Sequence, residues 1–192
     1  MNKKISLEPL YSVLKDLVKW FQEGNHPVVI IGGVAVSFLS QPRTTHDVDI
    51  LTLLDDAEWP RFLELGKKFG FQARQKDILK FAQQNRVLLI RHQPTLIDVD
   101  ISFGALPFEV NIFKRAKKIK IANVTISLPT PEDLIIMKAV AHRPIDMQDI
   151  RSILEVNPNL DFKRIKTTVK EFARVLEAPE IFDDLKKLLP SL

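Results

Sequence analysis

The sequence predicts an α/β fold of the α+β kind, in which a small sheet has helices beside it and a helical C-terminal part follows. Three observations support this prediction. A short apolar strand at residues 28–31 ends at two glycines and leads directly into a helix. Residues 47–51 form a strand with two carboxylates, and residues 86–101 contain two strands joined by a short turn. From residue 129 onward, the apolar residues and capping signals are those of helices.

The first strand and its glycines form a candidate anion site. Residues 28–31 are a run of β-branched side chains that follows Pro27, and Gly32 and Gly33 end the run. Glycine permits a positive φ and has no Cβ, so phosphate oxygens can approach the backbone closely. If the chain is helical from Val34 onward, the free N–H groups and the positive end of the helix dipole face the same position.

The second strand carries a candidate metal site. Asp47 and Asp49 are two residues apart, so both carboxylates lie on one face of the strand. Neighbouring carboxylates stay ionised together only when a positive charge lies between them, and their hard oxygens suit Mg²⁺ or Mn²⁺. A glycine pair or an Asp-x-Asp strand alone is more often structural, but their order and separation together favour a phosphate site beside a metal site. His46 precedes the pair, and we expect it to be a surface or supporting residue.

This pattern resembles the nucleotidyltransferase superfamily, whose members include DNA polymerase β, aminoglycoside nucleotidyltransferases and the nucleotidyltransferase toxins of abortive-infection systems. The shared pattern is an apolar strand, two glycines, a short helix and an Arg-x-Thr-x-Asp-x-Asp segment, here formed by Gly32, Gly33, Arg43, Thr45, Asp47 and Asp49. The resemblance covers roughly residues 26–155. It implies a small mixed sheet with flanking helices, and three carboxylates that bind two metal ions.

Two residues are candidates for the third carboxylate. Asp98 and Asp100 lie on one face of the strand at residues 96–101. The resemblance favours Asp100, because similar sequences continue with an apolar-Gly segment and a Phe-Glu helix start, as residues 101–104 and 108–109 do here. Asp98 is the alternative, and both can point into the cleft. In many members this carboxylate also removes the proton from the attacking hydroxyl.

Arg43, Thr45 and Lys138 are candidate substrate ligands. Arg43 precedes the carboxylates and either offsets phosphate charge or pairs with an acidic neighbour. Lys138 is the one charge within an apolar helical segment, so it must reach solvent or meet an anion. In the toxin-like and uncharacterised branches of the superfamily, the matching lysine faces the nucleotide phosphates. An interhelical salt-bridge network suits three residues that follow it, Arg143, Asp146 and Asp149.

Composition limits the other classes of protein. The 192 residues are 45% hydrophobic and 27% charged, which is typical of soluble globular domains. The absence of cysteine excludes disulfides and thiolate metal sites. No apolar run could span a bilayer or form a signal core, so we expect a cytoplasmic protein. The net charge of +4 weakly favours polyanionic partners, and we expect the basic run at residues 114–120 to be a solvated helix end.

We therefore expect a catalytic domain with an N-terminal helix over residues 1–128 and a helical region packed on it over residues 129–192. The expected reaction is metal-dependent transfer of a nucleoside monophosphate from a nucleoside triphosphate to an acceptor hydroxyl, with release of pyrophosphate. Two Mg²⁺ or Mn²⁺ ions would be held by Asp47, Asp49 and Asp100. The Gly32 and Gly33 amides, together with Lys138, would position the triphosphate.

Two other functions use the same cleft. One is a nucleotide-binding or partner-binding module without turnover, and the other is a metal-dependent phosphodiesterase or nuclease. ATP binding is a property that the resemblance implies, although the residues do not distinguish one base from another. The acceptors found among relatives are small molecules, proteins and the end of tRNA. The toxin-like branch also admits an antitoxin as a partner.

Overall fold

The computed structural model describes residues 8–45 and 47–190. His46 and the first two residues of the predicted N-terminal helix, Ser6 and Leu7, lie outside these ranges. The strands are β1 (Val28–Ile31), β2 (Asp47–Thr52), β3 (Phe71–Ala73), β4 (Val87–His92), β5 (Ile97–Phe103), β6 (Lys117–Ile121) and β7 (Val124–Leu128). The helices are α1 (Glu8–Glu23), α2 (Gly32–Leu39), α3 (Trp59–Lys67), α4 (Ile78–Asn85), α5 (Pro107–Arg115), α6 (Pro131–Ala141), α7 (Pro144–Val156), α8 (Phe162–Val175) and α9 (Pro179–Leu188), with a short 3-10 turn at Asp56–Glu58.

Five strands form a mixed sheet in the order β1-β2-β5-β4-β3. The central pair, β2 and β5, is parallel, whereas the other neighbours are antiparallel. On both central strands the residues between the aspartates, Val48 and Val99, are fully buried. The alternation of aspartate and valine therefore orients both strands in the same way, with acids on one face and core residues on the other. The predicted mixed sheet with flanking helices is confirmed.

Local structure follows the sequence patterns closely, with three differences. Helix α2 begins at Gly32, two residues before the expected start at Val34. The basic run at residues 114–120, expected to be a helix end, instead covers the end of α5 and most of β6, whose edge position leaves its lysines exposed. The sequence patterns do not predict α4, a helix of only eight residues whose N-cap, Asp77, makes no capping hydrogen bond through its side chain. Among the described residues, no helix is long and apolar enough to cross a membrane.

The C-terminal helices share the apolar core of the sheet. Buried side chains from the strands, such as Ile50 and Val99, belong to the same contiguous cluster as Ile135 on α6 and Ile165 on α8. Each fully buried residue of this kind contributes roughly 1.5–3 kcal/mol through the area that it removes from water. Burial of its apolar face therefore holds α6, the helix that carries Lys138, against the rest of the fold.

One buried carboxylate links three helices. Asp133, in the first turn of α6, is fully buried and accepts hydrogen bonds from Arg115 Nε and Nη2 at 2.9 and 2.8 Å. It also accepts one from Arg164 Nη1 at 2.6 Å. The predicted N-cap is present, since the Thr130 hydroxyl accepts from the Asp133 amide at 3.2 Å. Asp133 thus connects α6 to α5 and α8, a role that its position in a helix start does not indicate.

We expect Asp133→Asn to lower the free energy of unfolding by about 2–3 kcal/mol, because Arg115 and Arg164 would lose their shared anion while remaining partly buried. Urea denaturation followed by circular dichroism measures this loss. The matched control is Asp183→Asn, which makes the same change in an exposed pair, where the carboxylate lies 2.8 Å from Lys186 Nζ. The control should cost less than about 1 kcal/mol, and equal losses in the two variants would contradict this account.

Candidate active site

Strand register places four aspartates on one face of the sheet. In the parallel pair of β2 and β5, Asp47 lies opposite Asp98, and Asp49 lies opposite Asp100. Residues two apart on a strand share a face, and so do registered neighbours. All four carboxylates therefore lie on the same side of the sheet. The structure brings both candidates for the third carboxylate next to the Asp-x-Asp pair.

Asp49 and Asp100 lie in a strongly negative environment. Burial raises the pKa of Asp49 to about 6, and the charges of Asp47 and Asp100 act in the same direction. The positive charges of Lys138 and Arg143 partly oppose this shift. Burial also raises the pKa of Asp100, where Asp47 and Asp98 add to the shift and Arg74 opposes it. Asp49 and Asp100 are thus the two carboxylates whose ionised forms the fold disfavours.

Asp98 differs from its neighbours because two arginines neutralise it. Arg91 donates to it from Nε at 2.6 Å and from Nη2 at 3.2 Å, and Arg74 donates from Nη1 at 2.7 Å. The hydrogen bond from Arg91 is the main reason why the pKa of Asp98 is lowered. Arg74 also donates from Nη2 to Asp100. Asp98 is therefore fully paired, whereas Asp100 shares a single guanidinium with it.

Sequence reasoning missed both arginines. Arg91 lies directly opposite Asp98 in the antiparallel pair of β4 and β5, so the register of the predicted hairpin could have revealed it. Arg74 is different, because it follows β3. It lies near the aspartates only because the strand order places β3 on the same side of β5 as β4. No local signal in the sequence indicates that contact.

The two glycines make room for the protein's own polar side chains. Gly32 has a φ of +61°, and a Cβ at this position would lie 1.8 Å from Asp49 Oδ2. A Cβ on Gly33 would lie 2.7 Å from Thr45 Oγ1 and 3.0 Å from Arg43 Nη2. The strand–Gly-Gly–helix turn therefore packs directly against the predicted Asp-x-Asp motif. Only glycine fits Gly32 without displacing Asp49.

The loop before β2 orients the first aspartate and is itself anchored. The Thr45 hydroxyl donates to Asp47 Oδ1 at 2.9 Å. The Ser37 hydroxyl on α2 donates to the Arg43 carbonyl at 3.1 Å. Of the two roles considered for Arg43, the structure shows the acidic partner, because Arg43 Nη2 donates to Asp149 Oδ2 at 3.0 Å.

Lys138 belongs to an ion-pair network between α6 and α7. Its buried ammonium lies 2.7 Å from Asp146 Oδ1 and 2.9 Å from Asp149 Oδ2. Arg143 donates to the other oxygen of Asp146 at 2.6 Å. The expected interhelical network is thus present, and Asp149 extends it to Arg43. Because an ammonium has three N–H donors, one donor of Lys138 is left beyond these two contacts.

The fold is shared with solved structures at low sequence identity. An antigenic nucleotidyltransferase-like protein from Paracoccidioides brasiliensis aligns with a TM-score of 0.58 and 18% identity over 94% of each chain. The antibiotic-resistance factor ANT(2'')-Ia gives a TM-score of 0.61 and 14% identity over 89% of this chain and 95% of its own. The lincosamide antibiotic adenylyltransferase LnuA, bound to lincomycin, gives 0.52 and 13% over 79% of this chain and 98% of its own.

Sequence comparison identifies the family. No curated protein sequence matches the chain. The family model described as "Nucleotidyltransferase of unknown function (DUF6036)" matches residues 8–186, which include both aspartate strands, the glycine turn and the helix of Lys138. This match agrees with the superfamily that the glycine and Asp-x-Asp motifs predict. The chain therefore belongs to this nucleotidyltransferase family.

Proposed function

We propose that this protein transfers a nucleoside monophosphate from a nucleoside triphosphate to an acceptor hydroxyl, with release of pyrophosphate. The observation that carries the proposal is the register of β2 and β5, in which Asp49 lies opposite Asp100 and two residues from Asp47. These three carboxylates are the ones that the superfamily pattern assigns to catalysis. Membership of a nucleotidyltransferase family supports the same reaction class.

The chemistry of the carboxylates fits a divalent cation such as Mg²⁺ or Mn²⁺. Burial and the charges of Asp47 and Asp100 raise the pKa of Asp49 to about 6, so a cation here would relieve an existing repulsion. Within residues 8–45 and 47–190, no three acidic or histidine side chains converge on one metal position, and Asp100 is paired with Arg74. Asp47 and Asp49 suit an ion that substrate phosphates also bind, and Asp100 would join them when it is released from Arg74.

Asp47, Asp49 and Asp100 would hold the two ions that the resemblance implies. When bound, such ions stabilise the attacking and leaving oxygens of a phosphoryl transfer. Burial raises the pKa of Asp100, which makes its carboxylate a stronger base than an exposed aspartate. Asp100 would accept the proton of the acceptor hydroxyl. The hydroxyl oxygen would then bond to the α-phosphorus, while the bond from that phosphorus to pyrophosphate breaks.

The remaining residues would bind the triphosphate. The Gly32 and Gly33 amides lie at the start of α2, where the first N–H groups of a helix have no partner within it. Lys138 has a third N–H donor for a phosphate oxygen, while its other two keep the α6–α7 network in place. Thr45 orients Asp47, and Arg43 links the same loop to Asp149.

ATP and a small hydroxyl-bearing acceptor are the first substrates to test. LnuA is an adenylyltransferase for lincosamide antibiotics, and ANT(2'')-Ia has been solved with adenylyl-2''-tobramycin. We extend the adenylyl group and the small-molecule acceptor to this chain as a proposal. Protein and tRNA acceptors, and an antitoxin partner, stay predictions from the superfamily resemblance.

We expect wild-type protein to bind ATP in the presence of Mg²⁺, and the double variant Asp47→Asn/Asp49→Asn to bind it at least about 100-fold more weakly, because two metal-binding carboxylates are lost. Isothermal titration calorimetry with each nucleoside triphosphate measures this. The matched control is Asp183→Asn/Asp184→Asn, which changes the same charge on α9 and should bind as wild type does. No binding of any triphosphate to the intact protein would remove the proposal's main support.

Labelled ATP separates transfer from its two alternatives. With [α-³²P]ATP, transfer places the label on an acceptor and yields pyrophosphate. A phosphodiesterase or nuclease would cleave a phosphodiester when no triphosphate is present. A binding module would leave both substrates unchanged, although it would still bind ATP.

In the absence of divalent cations, we expect Asp49→Asn to raise the free energy of unfolding at pH 7.5 by about 1–2 kcal/mol, after allowance for solvent screening. The pKa of Asp49 is raised from 3.8 to about 6, so the native state binds its proton more tightly than the unfolded state does. Wild-type stability from this group is complete below about pH 4 and is lost as the pH rises through about 6. Thermal denaturation in EDTA should show the gain at pH 7.5 and no gain at pH 4.

Asp98→Asn is the matched control on the same face of the sheet and should have the opposite sign. The hydrogen bond from Arg91 lowers the pKa of Asp98, so ionised Asp98 stabilises the native state above its unfolded pKa, and this stability is lost as the pH falls. Asp98→Asn should therefore lower the melting temperature at pH 7.5. A stabilised Asp98→Asn, or a destabilised Asp49→Asn, would show that the two environments have been assigned wrongly.

A further inference from the structure

Arg74 connects the two aspartates of β5. Its backbone N–H donates to the Leu89 carbonyl at 3.0 Å, so the start of the side chain is fixed beside β4. From there Nη1 donates to Asp98 Oδ2 at 2.7 Å and Nη2 donates to Asp100 Oδ1. A quarter of the Arg74 side chain is exposed. The guanidinium thus extends from a hydrogen-bonded backbone position and is partly exposed beside the aspartates.

Asp98 does not need Arg74 for its own neutralisation. Arg91 already donates to both oxygens of Asp98, which is the geometry of a complete carboxylate–arginine pair. Among the described residues, Asp100 has no arginine partner besides Arg74, and the residue opposite it on β4 is Leu89. The hydrogen bond to Asp100 is therefore the contact for which Arg74 is specifically required.

A divalent cation and Arg74 would compete for Asp100. The four aspartates carry four negative charges, and Arg74 and Arg91 offset two of them. A cation bound by Asp47, Asp49 and Asp100 would place like charges next to each other if Arg74 stayed on Asp100. The contact from Nη2 would then be lost, whereas the contact from Nη1 to Asp98 involves no group of the proposed metal site.

We infer that Arg74 is a nucleotide-phosphate-binding residue that pairs with Asp100 in the absence of a divalent cation, and that Asp98 is the positioning residue that keeps it beside the cleft. The inference rests on the proposed function and deepens it. Once released from Asp100, Nη2 lacks its acceptor while Nη1 stays on Asp98. A triphosphate oxygen can then accept a charge-assisted hydrogen bond from Nη2. Asp98 then has a function of its own, which the sequence alone does not indicate.

Binding of Mn²⁺ without nucleotide tests the competition for Asp100. Electron paramagnetic resonance measures free Mn²⁺ during a titration, and we expect Arg74→Gln to bind the ion about three- to tenfold more tightly than wild type. Arg91→Gln is the matched control, because it removes the same charge from Asp98 without contacting Asp100, and it should change the affinity less than about twofold. In an Asp100→Asn background, Arg74→Gln should bring no gain, whereas a general charge effect would persist there.

Binding of the Mn²⁺–ATP complex should change in the opposite direction. We expect Arg74→Gln to bind this complex about tenfold more weakly in calorimetry, because a charged hydrogen bond to phosphate is lost. Arg74→Lys keeps the charge but lacks the planar guanidinium that donates to Asp98 and Asp100 from two separate nitrogens, so its affinities for both ligands should lie between those of wild type and Arg74→Gln. Circular dichroism melts identify the variants that are folded. If Arg74→Gln is unfolded, Arg74→Lys takes its place in both binding measurements.

The outcomes separate this inference from the proposed function. If wild type binds neither Mn²⁺ nor ATP, the proposed function fails, and the inference fails with it. If wild type binds both ligands and the folded Arg74 variants match it, or gain Mn²⁺ affinity equally with Arg91→Gln, the inference alone is overturned. Tighter Mn²⁺ binding together with weaker Mn²⁺–ATP binding in Arg74→Gln is the result that supports it.

Discussion

The parallel pairing of β2 and β5 is the constraint on which the rest of the site depends. It holds four carboxylates on one face of the sheet, with Asp49 opposite Asp100, at the cost of repulsion between like charges. The buried valines on the opposite face fix this register, because a shift of one residue would turn the acids into the core. The positively charged side chains around the aspartates offset this repulsion, and the glycine turn leaves room for Asp49.

Positively charged side chains act on the aspartates in two different ways. Arg74 and Arg91 contact them directly from the neighbouring edge of the sheet. Lys138 on α6 and Arg143 at the start of α7 act on Asp49 through their charge. Contacts of the first kind fix particular oxygens, whereas a field of the second kind leaves the carboxylate free for a ligand. Of Asp49 and Asp100, Asp49 is thus the carboxylate that is more available to a ligand.

The network of α6 and α7 joins the residues that we propose to bind substrate to the stability of the helical region. Lys138 and Arg43 share Asp149, so the loop before β2 depends on the position of α7. Asp133 in turn holds the start of α6 against α5 and α8. Loss of one partner in such a buried network leaves the other charges poorly solvated. Substitution of Lys138 would therefore alter folding together with any phosphate binding, which makes Arg74 the clearer probe of the proposed nucleotide recognition.

The sequence by itself determined the strands, most helices, the glycine turn and the acidic pairs Asp47/Asp49 and Asp98/Asp100, because these depend on local periodicity and on turn chemistry. It also led to the nucleotidyltransferase family through motif order. The tertiary structure alone decided that the two acidic strands are parallel neighbours and that Arg74 contacts Asp98 and Asp100. The physical reason is that pairing between distant strands, and ion pairs between residues far apart in the chain, leave no periodic signal in the segments that form them.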